Sequence, residues 1–174
     1  MNKKYAKRNN GQPLFKVPQP YILKTGARIM DLQDPSIKMS KSNVNEKGTI
    51  FVMDGPEVVA DKIKKAKTDS FNKVKYDKEK QPGVSNLIEI YAALTGMSIA
   101  DIERSYKDAP NYGVFKEDLI KIVCGELHQL QDRFKEALKI YDSKLVPILE
   151  KNAKECTKIV NDKTEMVYKA IGMK

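Results

Sequence analysis

The spacing of apolar residues divides the chain into two parts of different character. In residues 1–54 the apolar residues form short groups, at 14–23 and 49–54, and four prolines and Gly26 interrupt the sequence around them. Proline and glycine break regular structure, so this part is predicted to contain loops and one or two short strands, with no long helix. From Pro56 onward apolar residues recur every three or four positions, which is the period of an amphipathic helix. The chain is therefore predicted to be mainly α-helical.

Three shorter helices are predicted, over residues 56–67, 83–96 and 98–106. Pro56 suits the first turn of the first helix, Gly96 suits the end of the second, and Ser98 with Asp101 forms a capping pair for the third. The charged segment 72–83 is predicted to be a flexible connection, either a hinge or a surface loop. The apolar stripes of the first two helices are Val59, Ile63 and Ala66, and Leu87, Ile88, Tyr91, Ala92 and Leu94.

Two longer helices follow, and a break at Asp142, Ser143 and Pro147 separates them. The first is predicted over residues 114–141, and both carry an apolar stripe that is predicted to be core. Two long helices with a short connection are expected to pack antiparallel. Their stripes are Ile120, Val123, Cys124, Leu127, Leu130, Phe134, Ala137, Leu138 and Tyr141, and then Ile148, Leu149, Ala153, Cys156, Ile159, Val160, Val167, Ala170 and Ile171.

Composition narrows the class of protein. The chain of 174 residues is 41% hydrophobic and 32% charged, and no apolar run approaches the roughly 18 residues that a membrane span requires. Its basic start is not followed by an apolar segment of signal-peptide length, so a soluble cytoplasmic protein is expected. Cys124 and Cys156 are predicted to be reduced core thiols, and His128 to be a surface or packing residue.

Positive charge is concentrated in the first part of the chain. Residues 1–80 contain 18 Lys or Arg against 9 Asp or Glu, whereas residues 81–174 contain 14 of each. Excess positive charge in one region attracts polyanions, so it favours a nucleotide or nucleic-acid partner for that region. A lysine-rich proteome explains the charge equally well, and a motif is needed to decide.

The segment Lys38–Ser42, with the sequence Lys-Met-Ser-Lys-Ser, supplies such a motif. Its two lysines can bind phosphate oxygens by charge, and its two serines can add directed hydrogen bonds. In nucleotidyl transfer, negative charge grows on the leaving pyrophosphate, and a mobile basic loop can stabilise it by closing in the transition state. By composition alone, a solvated turn of lysine and serine is an equally good interpretation.

These five residues resemble the second signature of class I aminoacyl-tRNA synthetases, and we call residues 38–42 the signature loop. The surrounding sequence, over nearly the whole chain, resembles the C-terminal half of bacterial-type tryptophanyl-tRNA synthetases. Tyrosyl-type enzymes are the nearest alternative. The segments GARIM and PGVSNLIEIY favour the tryptophan enzymes, and there is no recognisable room for the RNA-binding appendage that many tyrosyl enzymes carry.

The resemblance implies a fold and a set of site residues. Residues 1–54 would be the tail of a class I α/β nucleotide-binding (Rossmann-like) domain, and residues 55–174 a helical domain that binds the tRNA anticodon. Lys38 and Lys41 would be catalytic, stabilising the triphosphate as pyrophosphate leaves. The family usually has aspartate where this chain has Asn43, and because both residues can cap a helix, little consequence is expected. The residues expected to bind ATP are Ile29, Lys38, Met39, Ser40, Lys41 and Ser42.

The resemblance also implies partners. ATP accompanied by Mg²⁺ and a tRNA are expected, with no metal bound by the protein itself, no membrane partner and a homodimeric parent protein. The first signature of the class, a HIGH-like element, does not occur in the sequence. The chain is therefore expected to carry half an active site, to meet tryptophan only through the other half, and to be inactive alone. A fragment of a longer synthetase is favoured, and a free-standing tRNA-binding module or one chain of a split enzyme is the alternative.

Overall fold

The computed structural model of the chain describes residues 2–23, 25–43 and 45–173, and the regular structure within these ranges is helical. A 3-10 turn at Glu46–Gly48 precedes the second α-helix, and a π-helical turn at Tyr141–Leu145 joins the last two. None of the described helices is both long and apolar enough to cross a membrane. The α-helices are α1 Asn2–Arg8, α2 Pro56–Lys64, α3 Pro82–Thr95, α4 Ile99–Ser105, α5 Tyr112–Lys139 and α6 Val146–Ile171.

The chain folds as two compact units. One comprises Met1–Tyr21 together with Lys135–Lys174, and the other comprises Ile22–Phe134. The predicted boundary between residues 54 and 55 falls inside the second of these units. The assignment of residues 1–54 to a catalytic domain and of residues 55–174 to a tRNA-binding domain remains a prediction.

The predicted helices are confirmed, and so are several of their ends, although α2 stops at Lys64 instead of residue 67 and α5 begins and ends two residues earlier than predicted. Helix α2 begins at Pro56, and α3 ends at Gly96, whose φ of 73° is the left-handed conformation that glycine adopts readily. The Ser98 hydroxyl accepts a hydrogen bond from the Asp101 backbone N–H at 3.2 Å and so caps α4. Local sequence determines these ends because a helix terminus is satisfied by residues within one turn of it.

The prediction of strands in residues 1–54 is wrong for the residues that the structure describes. A single antiparallel bridge between Met30 and Lys38 is the extent of the pairing found there. A strand requires a neighbouring strand, and this bridge joins two short segments of the same loop, while a side chain of α3, described below, takes up the remaining backbone groups of Met30. The Rossmann-like character of this part therefore remains a prediction.

The core of the second unit lies where α2, α3, α4 and α5 meet. Rings of Tyr91, Tyr106 and Phe115 pack together there, with the Tyr91 and Phe115 centroids 6.0 Å apart. Leu94, predicted to belong to the stripe of α3, is 40% exposed because it lies in the last turn of its helix. The most buried core residues include Val59, Ile63, Val84, Leu87, Ile88, Ile102, Phe115 and Leu119.

The predicted core stripes of the two long helices are only partly correct. The first half of α5 is buried at Leu119 and Val123, but Leu130, Phe134 and Leu138 are about half exposed. Helix α6 has no buried residue among those described. A helical period fixes which residues share a face, but it does not determine whether another surface covers that face. The antiparallel arrangement of these helices remains a prediction.

The exposure of the two cysteines and the histidine also depends on tertiary contacts. Cys124 is half-buried, and burial raises the pKa of its thiol, whereas Cys156 is exposed, so the prediction that it is a core residue is wrong. His128 lies on the surface, as predicted, and its Nε2 is 3.2 Å from the Asp132 carboxylate one helical turn away.

The charged segment 72–83 is tied to the second unit rather than projecting from it. Val74 is buried, and the Gln81 side-chain amide donates to the Tyr112 hydroxyl at 2.9 Å. The same hydroxyl donates to the Asp69 carboxylate at 2.5 Å. These contacts favour a surface loop over a hinge, since a hinge needs few fixed contacts.

Candidate active-site loop

Two short segments that flank a tight turn bring predicted ATP-binding residues together. The Met39 backbone N–H donates to the Ile29 carbonyl at 3.0 Å, and the Asp31 N–H donates to the Ile37 carbonyl at 2.9 Å. Ile29 and Met39 are both half-buried and pack against the core of the second unit. Ile29 and Met39, both predicted to bind ATP, therefore lie side by side, although they are ten positions apart in the sequence.

The turn between these segments is closed by Asp34. Its carbonyl accepts from the Ile37 N–H at 3.1 Å, and its carboxylate accepts from the Ser36 hydroxyl at 2.6 Å and the Ser36 N–H at 3.0 Å. Hydrogen bonds from Ser36, first from its hydroxyl and then from its backbone, lower the pKa of the Asp34 carboxyl below its ordinary value. Aspartate and serine commonly close turns in this way.

The signature loop ends in a second turn, with Lys41 and Ser42 at its two corners. The Asn43 N–H donates to the Ser40 carbonyl at 3.1 Å, and the Ser42 N–H approaches the Ser40 hydroxyl at 3.3 Å. The Lys38 and Lys41 side chains are exposed, and in the described ranges neither forms an ion pair or a side-chain hydrogen bond. An ammonium group without a protein partner remains able to bind a phosphate.

A buried carboxylate lies beneath this loop. Asp31 is only 2% exposed, and its Oδ1 accepts from the backbone N–H groups of Gln33 at 2.8 Å and Asp34 at 3.1 Å. Its Oδ2 accepts from the side-chain amide of Asn43 at 2.9 Å. Gly48 lies so close that a side-chain carbon added there would overlap the Asp31 carboxylate.

The Asn43 contact removes the basis for expecting little consequence from asparagine at this position, which was that asparagine and aspartate can both cap a helix. No helix begins at Asn43 in the described chain, and it is Asn45 that caps the following 3-10 turn by accepting from the Lys47 N–H at 3.1 Å. The Asn43 amide instead donates toward Asp31 and, at 3.4 Å, toward the Lys38 carbonyl. Its role as a donor is one that aspartate cannot reproduce at neutral pH.

Helix α2 holds the other side of the signature loop through Lys62. The Thr49 hydroxyl donates to the Ser40 carbonyl at 3.1 Å, and the Lys62 ammonium donates to the Thr49 carbonyl at 2.7 Å. Lys62 also pairs with Asp54 at 2.7 Å and lies 4.8 Å from the centroid of the Phe51 ring. A lysine that is 8% exposed is thus satisfied by a carbonyl, a carboxylate and an aromatic face.

Helix α3 contributes Asn86, whose side chain pairs with the backbone of Met30. The Met30 N–H donates to the Asn86 carbonyl oxygen at 2.8 Å, and the Asn86 amide donates to the Met30 carbonyl at 2.8 Å. The side chain therefore substitutes for a neighbouring strand beside Ile29. A cleft of about 250 Å³ opens next to this contact, and its lining includes Arg28, Pro35 and Glu89.

Helix α5 fastens α2 and the segment after the signature loop. The Lys116 ammonium donates to the carbonyls of Lys64 at 3.0 Å and Ala66 at 2.8 Å, at the end of α2, and burial lowers its pKa. Further along, the Gln131 amide donates to the carbonyls of Val52 at 2.8 Å and Asp54 at 3.1 Å. The support of the loop thus extends into the long helix.

Sequence reasoning missed the residues that position the loop. Asp31, Thr49, Lys62 and Asn86 are buried polar residues, and each bonds to a backbone group or side chain of the loop or its flanks. A weak signal was present for Asn86, which interrupts an apolar run on α3, because a polar residue at a core position needs a partner. Within the described ranges, no three His, Cys, Asp or Glu side chains come together as a metal site would require.

A helical chain with a Lys-Met-Ser-Lys-Ser turn, its lysines exposed and its backbone fixed from beneath, has the features expected of a class I aminoacyl-tRNA synthetase. The sequence profile of the family described as tRNA synthetases class I (W and Y) matches residues 1–127. The chain belongs to this family.

Individual relatives confirm the resemblance to tryptophan enzymes. The chain is 50% identical to a tryptophan–tRNA ligase of Malacoplasma penetrans over 173 residues, which cover 99% of this chain and 49% of that protein. It is 41% identical to that of Listeria monocytogenes over 172 residues, with coverage of 99% and 49%. The chain spans about half the length of the curated relatives it matches.

Solved structures of tryptophanyl-tRNA synthetases also match this chain. A tryptophanyl-tRNA synthetase from Mycoplasma pneumoniae matches with a TM-score of 0.80 and 28% identity, over 96% of this chain and 49% of that one. The enzyme from Campylobacter jejuni complexed with ADP and tryptophan matches with a TM-score of 0.60 over 96% of this chain and 50% of that one. At 22% identity, the second match supports the fold alone.

Proposed function

We propose that this chain is the C-terminal half of an enzyme that attaches tryptophan to its tRNA at the expense of ATP. In the first step the tryptophan carboxylate attacks the α-phosphate of ATP, which forms tryptophanyl adenylate and releases pyrophosphate. In the second step the tryptophanyl group passes to the terminal ribose of the tRNA, and AMP leaves. Similarity to tryptophan–tRNA ligases supports the choice of amino acid.

The observation that carries the catalytic role is the turn that holds Lys41 at its corner. Its ends are fixed by hydrogen bonds at the Ser40 carbonyl, from the Asn43 N–H at 3.1 Å and the Thr49 hydroxyl at 3.1 Å. The Lys41 ammonium group is exposed and meets no protein carboxylate in the described part of the chain. A positioned cation of this kind can stabilise charge that develops on the pyrophosphate without having to leave another partner first.

The remaining residues of the site act around the same triphosphate. Lys38 would share the phosphate charge with Lys41, and Ser40 and Ser42 would supply hydrogen bonds. Mg²⁺ would arrive with ATP and would be held mainly by its phosphates. Ile29 and Met39, joined by a backbone hydrogen bond of 3.0 Å, would contact the adenine from the edge of the core.

The proposal divides the labour between this chain and the other half of the enzyme. Residues 1–54 would complete the Rossmann-like catalytic domain, and residues 55–174, including α5 and α6 packed antiparallel, would bind the anticodon region of the tRNA. Tryptophan would be selected by the other half, in a cytoplasmic homodimer. The chain's coverage of about half of its relatives supports this division.

The test is tryptophan-dependent exchange between ATP and pyrophosphate. We expect no exchange from the chain alone and exchange after mixing with a separately prepared nucleotide-binding half that carries the first signature. Tyrosine serves as the control amino acid, and exchange that depends on tyrosine would overturn the choice of tryptophan. If the mixture stays silent while the chain binds tRNA, the chain is a tRNA-binding module rather than half of a ligase.

A further inference from the structure

We propose that Asp31 and Asn43 form a polar clamp that positions the signature loop, and that asparagine is required at position 43 because position 31 already carries the carboxylate. This inference rests on the proposed function, since the loop must act on ATP for its position to affect a rate. Both residues are positioning residues, because neither side chain is assigned a contact with substrate.

The clamp joins the turn that precedes the loop and the residue that follows it to one buried group. The Asp31 carboxylate receives three N–H groups, from the Gln33 and Asp34 backbones before the loop and from the Asn43 side chain after it. All three partners are donors, which satisfies the oxygens of a carboxylate that is only 2% exposed. The Asn43 amide at 2.9 Å is the single side chain among them, and it alone comes from the far side of the loop.

Asn43 transmits this anchor to the backbone that carries Lys41. Its own N–H donates to the Ser40 carbonyl at 3.1 Å and closes the turn, and its side-chain amide also approaches the Lys38 carbonyl at 3.4 Å. Lys41 therefore lies between Ser40 and Asn43, which bond to each other. If the amide releases Asp31, the turn loses one of the contacts that fix it, and Lys41 occupies its productive position for a smaller fraction of the time.

This geometry predicts that aspartate and asparagine can exchange places between positions 31 and 43. Aspartate, which the resemblance places at position 43 in most of the family, would here remove the donor and set two carboxylates against each other. Aspartate at position 43 becomes acceptable if position 31 is asparagine. The amide group at position 31 would then accept from the two backbone N–H groups through its carbonyl oxygen and donate to the new carboxylate at position 43.

The experiment uses the full-length synthetase that contains this chain, with the variants Asn43→Asp, Asp31→Asn and the double variant. We expect Asn43→Asp to lower kcat of tryptophan-dependent exchange about tenfold, the scale set by a buried charge that loses its donor and gains a repulsive neighbour. The KM for tryptophan should stay unchanged. The double variant should recover kcat to within about threefold of the parent enzyme, since donor and acceptor are restored in exchanged places.

The matched control is Asn45→Asp, the same change of charge two residues further on. The Asn45 side chain accepts a hydrogen bond from the Lys47 N–H at 3.1 Å, and aspartate accepts it equally well. We expect parental kcat and KM from this variant. A tenfold loss here would mean that any new negative charge near the loop is harmful, and the specific clamp would be wrong.

A second cycle tests whether the clamp acts through Lys41. In a Lys41→Ala background, Asn43→Asp should cause no further loss of kcat, because the side chain that the clamp positions is absent. If the losses of kcat from Lys41→Ala and Asn43→Asp multiplied, the positioning role would be overturned. The same conclusion would follow if Asn43→Asp alone kept the parental kcat, or if the Asp31→Asn, Asn43→Asp double variant were no better than the worse of its two single variants.

Failure of the proposed function is distinguishable from failure of the clamp. If the parent enzyme has no tryptophan-dependent exchange, the proposed function is wrong. The pairing is then decided by the melting temperature, which should fall in Asn43→Asp and recover in the double variant. Absence of that recovery would overturn the clamp.

Discussion

The Lys62 ammonium lies 2.7 Å from the Asp54 carboxylate, with the two side chains only 9% and 14% exposed. At the C-terminal end of α2, the pair formed by Asp61 and the capping residue Lys65 has the same separation but is more than half exposed. The two pairs offer a direct comparison of a buried and a solvated ion pair at the two ends of one helix. Only the buried lysine also bonds to the Thr49 carbonyl behind the signature loop.

Lys62→Met should lower the free energy of unfolding by about 3 kcal/mol, because it leaves the Asp54 carboxylate and the Thr49 carbonyl without their shared donor. Lys65→Met should change it by less than about 1 kcal/mol, since water screens an exposed pair. Urea denaturation of the two variants measures the difference. Equal effects would mean that Lys62 contributes no more than an ordinary surface charge.

Lys41→Ala in the full-length enzyme should raise the barrier to adenylate formation by about 3 kcal/mol, roughly a hundredfold in kcat. The KM values for ATP and tryptophan should change much less, because the interaction strengthens in the transition state. Steady-state ATP–pyrophosphate exchange gives both constants. Lys47→Ala removes an exposed lysine nearby and should leave kcat unchanged, and a KM effect of Lys41→Ala as large as its kcat effect would contradict a transition-state role.

Gly48→Ala should destabilise the protein by about 2 kcal/mol, because the added methyl group overlaps the buried Asp31 carboxylate and must displace it. Gly125→Ala provides a control of opposite sign. No neighbour lies within 4 Å of a side-chain carbon at Gly125, which is inside α5, and alanine there should stabilise by about 0.5–1 kcal/mol. Thermal unfolding gives the melting temperature of both variants. If the two melting temperatures shifted in the same direction, the predicted close packing at Gly48 would be contradicted.

Ser36→Ala should raise the pKa of the Asp34 carboxyl toward its ordinary value of 3.8, because the hydroxyl bond is the largest cause of the lowered pKa. A carboxyl whose pKa is lower in the folded state stabilises that state above its unfolded pKa, and the stabilisation is lost as the pH falls through the folded pKa. The parent should therefore be more stable than the variant, with the largest difference in free energy of unfolding above about pH 4 and a decreasing difference below that pH.

Titration of the Asp34 carboxyl carbon by NMR measures the shift directly. Ser70→Ala removes an exposed hydroxyl elsewhere in the same unit and should leave the Asp34 titration where it is. If Ser36→Ala also left it unchanged, the hydroxyl bond at 2.6 Å would not be the cause of the lowered pKa.

The helices could be read from the sequence with good accuracy. Helix α5 was predicted over residues 114–141 and runs from Tyr112 to Lys139, and the break before α6 coincides with a π-helical turn at Tyr141–Leu145. These features depend on apolar period, capping residues and glycine, which act over a few neighbouring residues. The signature loop was equally readable, because its five residues are consecutive.

The sequence did not indicate how far the helical stripes are covered. Val123 and Phe134 belong to the same predicted core of α5, yet the first is 5% exposed and the second is 49% exposed. Burial depends on what packs against a face, and that information lies in distant segments of the chain. The prediction of strands in residues 1–54 was wrong for a related reason, since pairing requires a second segment at the right distance and register.

By itself, then, the sequence determined the helices, their caps, the signature loop and the family, because all of these are encoded in short runs of neighbouring residues. Tertiary structure alone decided what holds that loop in place. Asp31 meets Asn43 across 12 positions, Lys62 meets Thr49 across 13, and Asn86 meets Met30 across 56. A buried polar group must find its partner wherever the fold brings one, and no local pattern of residues specifies that partner.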